Sequence, residues 1–174
     1  MKVFTSKAGT SGILVAVAIA LCSFAAEVTA EKIEQTSVKS NPRIVSRNAA
    51  TLVDVANHEI GQEVQLSNIK FSNAAFKVKE EWTYNQFNYI GGSGPHRGTF
   101  IDWHEDGAQT FGTYEGAQKT VGNSDGSWTA TWEGTYKYTG GSGKFKNIKG
   151  SGTYKGKASS AGNFSEEGKE TLEY

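Results

Sequence analysis

The residues best equipped for chemistry lie in the run Arg97–Gly107 (RGTFIDWHEDG), where Asp102, His104 and Asp106 alternate. Residues two apart on an extended chain project to the same side, about 6 to 7 Å from one another. With His96 or His58-Glu59 nearby in space, a carboxylate and an imidazole so placed can form an acid–base pair or a metal site. Asp102, His104 and His58 are therefore the candidate catalytic residues. A plainer reading stands beside this one. With 3 histidines and 18 acidic residues in the chain, such proximity arises readily by chance, and Glu105-Asp106-Gly107 reads as a solvated turn. No His-x-His or Cys-x-x-Cys spacing occurs, so the sequence calls for no metal and no cofactor.

The second set is aromatic. Trp82, Tyr84, Trp103, Trp128, Trp132 and Tyr136 combine large apolar bodies with N–H and O–H groups that can orient one polar end of a ligand. They are the candidate ligand-binding residues, and their plain alternative is a role as core. Gly134, between Trp132 and Tyr136, leaves room beside two large rings. The two GGSG segments, at 91–94 and 140–143, open strands rather than helices, so they are turns and not phosphate loops. No serine sits in a Gly-x-Ser-x-Gly elbow, and nothing supports a hydrolase.

These side chains need strands to position them. From Trp128 to Tyr138 aromatic and small residues alternate with threonine, glutamate and lysine at a period of two, and the glycines at 140–143 turn that strand into a hairpin. Phe76 to Tyr89 begins with Phe76, Val78, Trp82 and Tyr84 on one parity and continues with Phe87 and Tyr89 on the other, which predicts a β-bulge near Asn85-Gln86. Further strands are expected over 97–104, 108–120 and 169–174, and earlier ones over 63–71 and 51–56, with a helix over 47–56 as the alternative there. Residues 31–48 are polar and aperiodic and read as a flexible lead-in to a domain spanning 49–174. Gly-Thr-aromatic recurs at 98, 112, 134 and 152, at intervals too uneven for a solenoid. The total is roughly seven to nine strands, all-β and antiparallel, which suits a barrel or a sandwich, and closing them into a barrel removes the exposed edges.

The segment Trp132–Gly156 (WEGTYKYTGGSGKFKNIKGSGTYKG) resembles the β-hairpin of allene-oxide-cyclase-like barrels, a style shared with plant dirigent proteins and uncharacterised bacterial families. The ending ETLEY is similar to the tyrosine-terminated last strand of those bacterial families. The resemblance implies an eight-stranded antiparallel barrel whose lumen can hold a small apolar molecule, sometimes within a homo-oligomer. It does not extend to cyclase chemistry, because the family's catalytic residues do not map onto this chain.

The 18 basic and 18 acidic side chains balance and form no long run of one sign, so neither nucleic acid nor an anionic membrane is indicated as a partner. With 21 glycines and 2 prolines the composition suits sheets and tight turns. Residues 1–30 read as a signal peptide: Lys2 and Lys7, an apolar stretch from Ile13 to Ala26, and small residues for cleavage after Ala30. The only cysteine, Cys22, lies within it. The expectation is a secreted or periplasmic barrel binding a small apolar or amphiphilic molecule. The alternatives are a cofactor-free isomerase or cyclase using the barrel as a template, and a filled structural or assembly module.

Overall fold

A computed structural model describes residues 32–174; the expected signal peptide and its cleavage site lie outside the described residues. Eight strands follow one another: β1 (Ile33–Leu52), β2 (His58–Phe71), β3 (Val78–Ile90), β4 (Gly94–His104), β5 (Gln109–Gly122), β6 (Trp128–Gly141), β7 (Lys149–Ser159) and β8 (Phe164–Glu173). Each pairs antiparallel with the next, and β1 pairs with β8 over Ile33–Lys39, so the sheet closes into a barrel, while β1 beyond Lys39 pairs with β2 alone. The all-β, antiparallel, eight-stranded barrel expected from the sequence is the fold observed.

The Gly-Thr-aromatic repeats explain how the wall is packed. In each repeat the glycine and the aromatic face the lumen while the threonine faces out. Register sets the glycine of one strand opposite an aromatic of its neighbour: Gly98 opposite Tyr114, Phe100 opposite Gly112, Gly134 opposite Tyr154, Tyr136 opposite Gly152, and likewise Trp132 opposite Gly156. Each ring lies across the neighbouring backbone, covering the glycine and narrowing a lumen that eight strands leave only just wide enough for side chains or one small ligand.

One end of the barrel is sealed. The β2–β3 and β4–β5 connections and the 3-10 turn Gly143–Phe145 between β6 and β7 gather there. Phe76, Phe145, Ile148, Ala108, Tyr138, Phe100 and Leu172 form one apolar cluster at that end. Phe145 is fully buried, with ring centroids 4.8 Å from both Phe76 and Tyr174. Edge-to-face and tilted contacts of this kind add to the burial of apolar area.

Three expectations are corrected. The polar segment 31–48 is no lead-in: β1 starts at Ile33 and pairs with β8 from Ile33 to Lys39 and with β2 from Ser37 onward, so the barrel begins there rather than at residue 49. The expected strand at 51–56 is only the end of β1, and residues 53–57 make its turn, with Asn57 at φ 59. The alternation was hidden because it is inverted: Gln35, Ser37 and Lys39 face the lumen while Val38 faces solvent. Pro42 fits because the β1–β2 register is interrupted between Ser40 and Arg43, with Asn41 at φ 53. The bulge expected near Asn85-Gln86 is also misplaced. The β3–β4 pairing is irregular at Val78/Glu80 and continuous from Glu81 through Phe87.

Candidate functional site

Above the apolar seal the lumen is lined by charge. Ser67, Glu81, Asp102 and Thr110 are register neighbours on β2, β3, β4 and β5 and form one row across the wall. Ser67 Oγ donates to Glu81 Oε1 at 3.4 Å, and Thr110 Oγ1 donates to Asp102 Oδ2 at 2.9 Å. His104 Nε2 lies 3.2 Å from the same threonine oxygen, so Asp102 and His104 are bridged by Thr110. From β1, Lys39 places its Nζ 2.6 Å from Glu81 Oε1 and 2.8 Å from Glu166 Oε1. Gln35 Nε2 and Tyr136 Oη both donate to Glu170, the latter at 2.7 Å.

Burial in the barrel decides the protonation of these groups. Burial alone would pull Lys39 down, but Glu166 and Glu81 outweigh it and hold the ammonium above its ordinary value. Asp102, 1% exposed, is pushed well up, by burial first and then by the neighbouring Glu81 charge. Burial likewise raises Glu170, against the opposing hydrogen bonds from Gln35, Tyr136 and Tyr138. His104 is pulled down to about 4 by burial, and burial also lowers His96. The resting site thus holds neutral imidazoles and reluctant acids around one firmly charged ammonium.

Toward the open end the wall turns aromatic. Trp132 Nε1 donates to Glu166 Oε2 at 2.6 Å, Tyr114 Oη donates to Asn85 Oδ1 at 3.1 Å, and Tyr154 Oη lies 2.7 Å from His96 Nε2. Between these groups lies a cavity of about 620 Å3, bounded below by Asp102, Tyr136 and Tyr138 and above by Trp132, Phe164 and, at the mouth, the half-exposed Trp128. Asp102 Oδ1 and His96 Nδ1 are buried without a hydrogen-bond partner among the described residues.

The structure sorts the sequence candidates. Asp102 and His104 share the inner face, as their spacing implies, whereas Asp106 sits on the outside and pairs with Lys144 at 2.9 Å. His58 does not join them: it lies at the opposite end, its two ring nitrogens 2.7 Å from Asp54 Oδ1 and 2.7 Å from Asn88 Oδ1. Trp128, Trp132 and Tyr136 line the lumen. Trp82, Tyr84 and Trp103 do not, and their assignment to the lumen is corrected. The irregularity at Val78/Glu80 flips the parity of β3 before Trp82, so Glu81, Thr83 and Asn85 face in while Trp82 and Tyr84 face out. Trp103 alternates with the inward Asp102 and His104 and is 40% exposed. The sequence reading missed Lys39, Glu81, Glu166 and Glu170, because charged residues on strands ordinarily mark the solvent face. The signal for Tyr154 was present in the fourth Gly-Thr-aromatic repeat.

Fold and site together define a closed antiparallel barrel with an ionic girdle below an aromatic chamber. Comparison of the chain with protein-family models, with curated proteins and with solved structures finds no match.

Proposed function

We propose that this chain is an exported barrel that binds one small, partly apolar molecule in its lumen. The observation that carries this reading is the cavity of about 620 Å3 between Trp132 and the Asp102 row, a size within the ~300–1,000 Å3 range of small-molecule sites. Its walls supply apolar faces from Trp132, Tyr138 and Phe164, and its floor supplies polar atoms that can orient a ligand. The hairpin resemblance at Trp132–Gly156 supports the same reading, and a filled structural module would have no such space.

Tryptophan emission tests it directly, because Trp128 and Trp132 line the cavity while Trp82 and Trp103 lie outside. Titration with apolar and amphiphilic aromatics and terpenoids is expected to shift or quench emission in the unmodified protein. Trp132→Phe is expected to remove most of that response, and Trp103→Phe to retain it. A response that survives Trp132→Phe and Trp128→Phe unchanged would place binding outside the lumen.

The template-enzyme reading keeps one supporting observation, the Asp102–Thr110–His104 chain at the cavity floor, which can hold a proton beside a bound molecule. Under that reading Asp102→Asn abolishes turnover of a substrate that still binds.

A further inference from the structure

The lumen's charges do not balance. Glu81, Asp102, Glu166 and Glu170 face it from β3, β4 and β8, and among the described residues lining it below the mouth only Lys39 carries a positive charge. The mouth adds Glu59 and Glu63 against the single Arg47, at 2.7 and 2.9 Å. The hydrogen-bond donors of the wall are also committed already: Lys39 to Glu81 and Glu166, Trp132 to Glu166, Tyr136 to Glu170, Thr110 to Asp102. What is left over is Asp102 Oδ1, buried and without a partner among the described residues, which becomes a free acceptor when Asp102 ionises. His96 Nδ1, six residues earlier on the same strand and likewise buried and unpartnered, is a donor or an acceptor according to the tautomer that Tyr154 sets at Nε2.

Resting on the lumen-binding reading, we infer that the ligand is a small organic cation, a protonated amine on an aromatic or branched apolar body. The ammonium supplies the donors and the positive charge that the girdle lacks, seated toward Asp102, which lines the cavity floor. The body occupies the chamber under Trp132, where the faces of Tyr154, Tyr138 and Trp132 also favour a cationic neighbour. Among the described residues no three acidic, histidine or cysteine side chains converge closely enough to hold a metal ion, so the geometry fits a charge carried on an organic frame. The negative mouth would draw cations inward and repel anions.

Proton linkage follows. The groups facing Asp102 are Glu81 from β3, Glu170 from β8, Lys39 from β1, Tyr136 and Tyr138 from β6, and Thr110 and His104 beside it. Burial first, and then this acidic company, raise Asp102 and Glu170 above the ordinary carboxylate range. An entering ammonium favours their charged forms, so binding releases protons and tightens as pH rises. A neutral ligand that accepts a hydrogen bond from protonated Asp102 would show the opposite trend.

The test is calorimetric titration of the folded chain at pH 5.5 and 7.5 with three isosteres: naphthylmethylamine, naphthalenemethanol and naphthoate. The amine is expected to bind at least about tenfold tighter than the alcohol at pH 7.5, and naphthoate weakest of the three. The affinity for the amine should rise several-fold between the two pH values, and Asp102→Asn or Glu170→Gln should flatten that rise. An alcohol that binds as tightly as the amine, or an amine affinity that is flat or falls with pH in the unmodified protein, overturns the inference while leaving the lumen reading intact. No binding of any of the three overturns both.

Discussion

Trp132 lies across Gly156 of the neighbouring strand and donates its indole N–H to Glu166 one strand further on, at 2.6 Å. Tyr136 does the same across Gly152 to reach Glu170, at 2.7 Å, and Tyr154 crosses Gly134 and Gly116 toward His96, also at 2.7 Å. Each ring therefore spans three or more strands of the wall and holds a charged or polar lumen group in place. The glycines are what make these crossings possible.

Gly156→Ala tests the device. A Cβ there would stand 2.3 Å from Trp132 Cε2, so the ring must lift and its bond to Glu166 must break. We expect a loss of about 1–3 kcal/mol in denaturant unfolding, the usual cost of overpacking. Gly122→Ala is the control, since nothing lies within 4 Å of its added Cβ, and it should be neutral or slightly stabilising.

The buried acids should give the barrel an unusual pH profile. Asp102 and Glu170 hold their protons more tightly folded than unfolded, where they titrate near 3.8 and 4.5. Their contribution is thus fully present below those values and is lost as pH rises through the folded ones. Each of the two acids pulls the melting temperature down as pH rises above its unfolded value, and Asp102→Asn should remove its share of that fall. An unchanged slope in Asp102→Asn would show that Asp102 ionises as readily folded as unfolded.

The three histidines should titrate in a fixed order. Hydrogen bonds to Asn88 and then Asp54 raise His58 above 6.5, burial lowers His96 below it, and burial takes His104 to about 4. Imidazole resonances followed by NMR should show His58 charging first as pH falls, then His96, and His104 last. For His104 the unfolded chain binds the proton more readily, so stability from this group declines as pH drops from 6.5 toward 4. An inverted order would mean that His104 is open to water.

The sealed end should dominate stability. Phe145, wholly buried among Phe76, His104 and Tyr174, should cost about 3–5 kcal/mol when truncated to alanine. Trp103→Ala, on the half-exposed outer face, should cost under ~1 kcal/mol in the same unfolding assay.

The all-β barrel, the inward placement of Trp132 and Tyr136 and the shared face of Asp102 and His104 were legible because β4 and β6 keep strict alternation with aromatics or turn glycines to mark it, but which face of β4 turns inward was not, and Trp103 read as the lumen residue in place of Asp102 and His104. The first strand was not, because a polar lumen reverses the usual code: Lys39 is inside and Val38 outside, so hydrophobic periodicity misreads β1. Trp82 and Tyr84 were misplaced by an irregularity that a single sequence does not mark, since Glu80 and Glu81 look alike and only pairing with Trp103 and Asp102 decides which turns inward. The girdle joins residues more than a hundred positions apart, as in Gln35 and Glu170, and only barrel closure brings them together.

The most direct measurement of the central claim is native mass spectrometry of the folded chain with small aromatic amines and alcohols, beside Ala158→Trp. Ala158 pairs with Ala130 beneath the mouth, and an indole there would block the chamber without touching the girdle. A one-to-one adduct on the unmodified protein that Ala158→Trp loses is the predicted result. Equal adducts on both proteins, or none on either, would contradict lumen binding.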